Sequence, residues 1–136
     1  MKIAAVTQYF SSRITSRVFA AVCCAILLAA ALAASGCHSY HIDATVENQT
    51  GGTVKLLEVD YPSASFGIDM LGASSVFHYR IQIRGSGPLK LQYTAANGSQ
   101  ATVNGPSVSE GQEGTLEIVL LPGGKAEFHP HLSAAH

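Results

Sequence analysis

Val76-Phe77-His78-Tyr79-Arg80-Ile81-Gln82-Ile83-Arg84 is the stretch that decides the fold. Phe77, Tyr79, Ile81 and Ile83 fall on one face of an extended chain; His78, Arg80, Gln82 and Arg84 fall on the other. Side chains of a strand alternate with period two, whereas a helix would place these apolar residues all round its axis. The stretch therefore reads as a half-buried strand. Arg80 and Arg84 also keep a β-prone apolar run from associating with its like.

Outward from this strand the same signals recur. Ile42, Ala44 and Val46 alternate with Asp43, Thr45 and Glu47, a first strand. Asn48-Gln49-Thr50-Gly51-Gly52 carries turn residues, since Asn and Gly tolerate positive φ. Thr53 to Tyr61 follows as a second strand. Its apolar phase slips from Val54 and Leu56 to Leu57, Val59 and Tyr61, which a one-residue bulge explains. Pro62 to Ser74 shows no alternation and reads as the longest irregular stretch. After the central strand, Gly85-Ser86-Gly87-Pro88 turns the chain into Leu89, Leu91 and Tyr93. Asn97-Gly98 predicts a type I′ hairpin. A weak partner strand over 99–103 ends at Asn104-Gly105-Pro106, and Val108 forms a stub. Thr115 to Leu121 and Lys125 to Phe128 complete the set. About seven short strands without a helix predict an all-β, small antiparallel β-sandwich of immunoglobulin-like shape after an N-terminal signal helix. A small open barrel is the alternative. The Cys and Trp hallmarks of true immunoglobulin domains are missing.

The chain's 47% apolar content is uneven across its 136 residues. Val18 to Ala34 is an unbroken apolar run of 17 residues, and the remainder is polar and Gly-rich. Charge divides at the same point. Lys2, Arg13 and Arg17 precede the run with no acid among them. After Cys37 come five basic residues against nine acidic ones, a formal charge of −4. No basic stripe is present, which argues against nucleic acid as a partner.

A basic segment, an apolar run and small residues before a cut site make a secretory signal. The run is short for a transmembrane helix, which needs about 20 residues. It ends in Ala34-Ser35-Gly36-Cys37, which resembles the lipobox of bacterial lipoproteins. The resemblance covers residues 1–37 only. It implies a diacylglycerol on the Cys37 thiol and cleavage between Gly36 and Cys37. The family's usual Leu three residues before the cysteine is Ala34 here, with Leu32 two further back. The residue after the cysteine is His38 rather than Asp, which by analogy with enterobacterial lipoproteins implies outer-membrane sorting. An ordinary signal cut after Ala31-Leu32-Ala33, or an uncut anchor, also fits the segment.

The expected organisation is a signal peptide over 1–36, a lipid-anchored linker over 37–41, a sandwich over 42–128 and a flexible tail over 129–136. Cys23 and Cys24 leave with the signal, so the exported domain has no disulfide and no thiol chemistry. A blue-copper site and Cys-based zinc sites are thereby excluded.

Other chemistry is sparse. His38, His41, His129 and His131 could form an envelope metal site if the chain ends met, since imidazole binds copper, nickel and zinc. His78 reads as a surface residue. Glu58 with Asp60, and Glu110 with Glu113, are carboxylate pairs of the kind glycosidases use, but such pairs are common in an acidic domain. No serine sits in a nucleophile elbow. The stretch from Ser65 to Leu71 is the best binding surface, with Phe66 or Met70 as anchor and core capping as the plainer role. Asn48-Gln49-Thr50 and Asn97-Gly98-Ser99 match the glycosylation sequon and read as turns. The sequence therefore predicts a monomeric, non-enzymatic binding or accessory module without cofactor. It would be held by lipid at the periplasmic face of the bacterial cell envelope and meet an envelope protein or glycan. The alternative is a metal-binding protein using the terminal histidines.

Overall fold

The computed structural model describes residues 19–25 and 39–134. The chain divides into two compact units, Met1–His38 and Ser39–His136. In the first unit, residues 19–25 are helical. No helix among the described residues is long and apolar enough to cross a membrane. Gly36, Cys37 and His38 lie outside the described residues.

The second unit is a β-sandwich of eight strands: β1 (Ile42–Asn48), β2 (Val54–Tyr61), β3 (Ala64–Leu71), β4 (Val76–Ile81), β5 (Ser86–Thr94), β6 (Gln100–Ser109), β7 (Gln112–Leu121) and β8 (Lys125–Ala134). One sheet has the order β4-β1-β7-β8 and the other β3-β2-β5-β6. All pairings are antiparallel except β1 with β7. Two separate four-stranded sheets rule out the open barrel. The order also differs from the immunoglobulin arrangement, so the likeness is of two packed layers rather than of connectivity.

Alternation fills the space between the layers. Ile42, Ala44 and Val46 of β1 are buried, as are Leu89, Leu91 and Tyr93 of β5. Leu116, Ile118 and Leu120 of β7 face the same core. Each fully buried Leu or Ile contributes about 1.5–3 kcal/mol relative to exposure. The Tyr93 hydroxyl reaches this core without a hydrogen-bond partner, and burial raises its pKa.

The bulge in β2 is present. Pairing with β5 shifts between Lys55 and Glu58, and Leu56 takes up the extra residue at φ 49°. The irregular reading of Pro62 to Ser74 is corrected, because residues 64–71 form β3. The strand stays in register with β2, so it follows the same bend. Its apolar phase therefore breaks between Ile68 and Leu71, which hid the alternation.

Three strand ends also differ from the expectation. β4 stops at Ile81, and the chain crosses to the other sheet, where Ser63 Oγ donates to the Gln82 carbonyl and accepts from the Arg84 amide. β6 does not end at Asn104-Gly105-Pro106. It passes through them with a register shift against β5, as an edge strand can where proline's missing N–H faces outward. Gly105 is needed there, because a Cβ would meet the Phe128 ring at 2.7 Å and Leu89 Cβ at 3.0 Å. The tail expected from His129 is likewise corrected, since β8 pairs with β7 from Lys125 as far as Ala134. Pro130 does not end the strand, because β8 is an edge strand and tolerates it.

The Asn97-Gly98 hairpin forms with another turn type. The Gly98 amide donates to Ala95 O and the Ala95 amide to Ser99 O. Only Gly98 has positive φ, at 83°. This is a three-residue loop with a glycine bulge, not type I′, which would need Asn97 at positive φ as well.

Candidate functional site

The outer face of the β3-β2-β5-β6 sheet carries the most unusual local geometry. Leu56 adopts a left-handed conformation that a non-glycine residue populates at a cost of roughly 1–3 kcal/mol. Its side chain is nevertheless 68% exposed, so no core packing offsets that cost. The bulge turns it outward beside Lys55, whose strand partner Met70 is 60% exposed. Together they form an apolar prominence at the end of the sandwich where β1 finishes.

Two depressions flank Leu56. One of ≈ 180 Å³ is lined by Leu56, Glu58, Gln92, Thr94, Gln100 and Thr102 among others. The second, of ≈ 210 Å³, lies toward β3 and includes Gly67 and Asp69. One carboxylate, two amides and two hydroxyls thus surround the prominence on its β5 side. This set can donate and accept hydrogen bonds with little charge, which suits an uncharged polar ligand or a main-chain segment. Glu58 accepts from Ser65 Oγ at 2.7 Å, and Asp60 accepts from Gln92 Nε2 at 3.2 Å. The carboxylate pair therefore holds its own face together through neutral partners.

The other sequence candidates separate. Phe66 is 4% exposed and caps the core, whereas Met70 faces solvent. His129 and His131 lie on the outer face of β8, opposite Glu117 and Thr115 of β7. His129 Nε2 is 3.4 Å from a Glu127 carboxylate oxygen. His41 precedes β1, two strands away from β8, and its Nδ1 lies 3.0 Å from the Ser39 carbonyl. At about 4.8 Å per strand, β1 and β8 stand roughly 10 Å apart, with β7 between them. Among the described residues no three His, Cys, Asp or Glu side chains form a group that could hold a metal. His78 is on the outer face of β4, as expected, and Glu110 accepts from the Gly85 amide at 3.0 Å.

The sequence reading missed two features. By pattern Leu56 belongs to the apolar phase before the slip, and the slip itself is the signal that it faces out. Asn48 carries turn chemistry in the sequence, yet it is the one buried polar side chain among the described residues. Its amide donates to the carbonyls of Gly52, Leu71 and Gly72 at 2.8–3.0 Å. It thereby pins the end of β1 to the end of β3, beneath the Leu56 prominence.

No protein family matches the chain, and no curated protein matches it in sequence. An NMR structure of a protein from Eubacterium rectale is similar in fold, with a TM-score of 0.52 at 13% identity, over 71% of this chain and 94% of that one.

Proposed function

We propose that this chain is a lipid-anchored cell-envelope protein whose β-sandwich acts as a non-enzymatic binding or accessory module. The observation that carries the binding role is Leu56, a strained and exposed side chain set between two depressions. Backbone strain persists where something other than local stability retains it. The anchor rests on Ala34-Ser35-Gly36-Cys37 and on the position of Cys37, two residues before the compact unit that begins at Ser39.

The two parts fit each other. From Cys37 to Ile42 the chain spans at most about 18 Å, so a lipid on Cys37 would hold the start of β1 near the bilayer surface. The Leu56 prominence is toward the other end of β1, on the outer face of its own sheet.

Intact-mass measurement of membrane-extracted protein tests the anchor. The expected mass lacks residues 1–36 and carries diacylglycerol on Cys37. Cleavage elsewhere, or an unmodified Cys37, breaks the reading. For the binding role, envelope proteins and glycans captured by the native chain should be lost with Leu56→Asp. Equal capture by both, or turnover of an envelope substrate, refutes it.

A further inference from the structure

The two flanks of the sandwich are built differently. β6 and β8 lie together on one flank, β3 and β4 on the other. Edge strands present unpaired N–H and C=O groups, and proteins block them with proline, bulges or charge. β6 carries Pro106 and a register shift, and β8 carries Pro130. β3 has no proline, Lys or Arg, and pairs with β2 without a shift. β4 has no proline either, and its one arginine, Arg80, is held by Asp43 of β1. Among the described residues of the sandwich, the exposed large hydrophobics are Leu56, Met70, Val76 and Tyr79. Three of these are on β3 and β4, one is on the adjacent β2, and none is on β5 to β8.

We propose that the β3/β4 flank is a dimer interface. A second copy of this chain, related by a two-fold axis parallel to the strands, sets its β4 beside β3 and its β3 beside β4. The directions permit this. β3 rises toward the end of the sandwich where β1 finishes, because the Asn48 amide takes the carbonyl of Leu71. β4 descends, being antiparallel to β1. Rotation about an axis parallel to the strands changes neither direction nor height. Each rising β3 therefore meets a descending β4.

Contacts within one copy fix the heights. Ser63 is level with Gln82, to which it donates. Phe66 is level with Tyr79, with ring centroids 4.7 Å apart and planes inclined by 13°. Both contacts give the same antiparallel offset. Carried to the second copy, that offset puts Phe66 opposite its Tyr79, Ile68 opposite its Phe77 and Ser65 opposite its Arg80. Residues facing inward meet residues facing inward. A slip of one would have set apolar side chains against outward polar ones. Charge agrees too. The charged side chain of β3 is Asp69, while the basic ones of β4 are His78 and Arg80.

An axis normal to the sheets would instead pair β4 with β4 and bring Arg80 and His78 of both copies together. It would also point the two N-terminal ends in opposite directions. The proposal stands without the lipid reading. With it, the strand-parallel axis places both anchors on one side, as a shared bilayer requires.

Sedimentation equilibrium of the full chain in non-ionic detergent tests the interface. The expected mass is that of two copies. Tyr79→Lys, at an exposed site, should weaken association by roughly tenfold or more with the β-sheet circular dichroism retained. His129→Lys on the opposite flank should leave association unchanged. In a chain with Cys23, Cys24 and Cys37 replaced by Ser, Ser65→Cys with Arg80→Cys should oxidise to a covalent dimer. Within one copy these residues occupy the outer faces of opposite sheets, beyond the reach of a disulfide. A single-copy mass at about 100 μM overturns the proposal and leaves the flank to an extended segment of another protein. A dimer that survives Tyr79→Lys and does not cross-link overturns it as well.

Discussion

Asn48-Gln49-Thr50 and Asn97-Gly98-Ser99 share one local design and differ in everything around it. In both, the Asn side-chain oxygen accepts from the backbone amide and hydroxyl two residues on. The distances are 3.0 and 2.7 Å at Thr50 and 3.0 and 2.6 Å at Ser99. This is the Asx geometry that favours asparagine in turns. Asn97 makes it at an exposed hairpin tip. Asn48 makes it at 0% exposure, and its amide also serves three carbonyls from two other segments. Backbone bonds converge on the same point: the Asn48 amide donates to Ser75 O, and the Ser74 amide donates to Asn48 O. The comparison teaches that a turn motif states its own geometry but not its weight in the fold.

The largest effect should come from Asn48→Ala. It removes three donated and two accepted hydrogen bonds at a buried site, each worth about 0.5–1.5 kcal/mol net. Chemical denaturation should show a loss of at least about 3 kcal/mol. Asn48→Asp retains the bonds from Thr50 but loses all three donations, so it should give no rescue. If Asn48→Ala cost no more than Asn97→Ala, the contrast between the two turns would be wrong.

Gly105→Ala should rank next. The added methyl meets Phe128 and Leu89, and overpacking of this kind costs about 1–3 kcal/mol. The same denaturation series should place it between the two asparagines. At the exposed turn, Asn97→Ala removes two local bonds that water can replace, so the loss should be about 1 kcal/mol or less. Unchanged midpoints for both asparagine variants would show that neither turn contributes.

The smallest effect at neutral pH belongs to Tyr93→Phe. The hydroxyl it removes has no partner, so stability should change by less than about 1 kcal/mol, with a gain as the expected sign. Alkaline titration sharpens this. Burial raises the pKa of Tyr93; it also raises that of Tyr61, with Tyr79 adding to the effect there. The folded state thus holds these protons more tightly than the unfolded one. That contribution is complete below the unfolded tyrosine value of about 10 and is lost as pH rises through the raised folded values. The melting temperature should therefore fall above about pH 10, and Tyr93→Phe should make the fall shallower. Equal slopes for both proteins would remove Tyr93 as a cause.

Much of the fold was legible because it is local. Alternation at Ile42-Ala44-Val46 and at Leu89-Leu91-Tyr93 marked the core faces correctly. The slip between Leu56 and Leu57 marked the bulge. Three segments were not legible. β3 inherits its bend from β2, so its own residues lack regular alternation. β6 and β8 contain Pro106 and Pro130, which read as breaks unless the strand is known to be an edge. Edge position depends on which strands lie alongside, and no local pattern states it. The candidate site was half legible: Met70 was named for its loop, but Leu56 was hidden within an apolar run.

By itself, the sequence determined the all-β class and where most of the turns fall, since hydrophobic period and turn chemistry act over a few residues. It also supplied the one argument for Cys37, in the small residues before it. The tertiary structure decided which asparagine is buried, which strands are edges and which leucine faces out. These depend on contacts between segments far apart in the chain, such as Asn48 with Leu71 and Phe66 with Tyr79. The free energy of a buried hydrogen bond or a stacked ring pair is set by what closes over it, and only the packed sheets supply that cover.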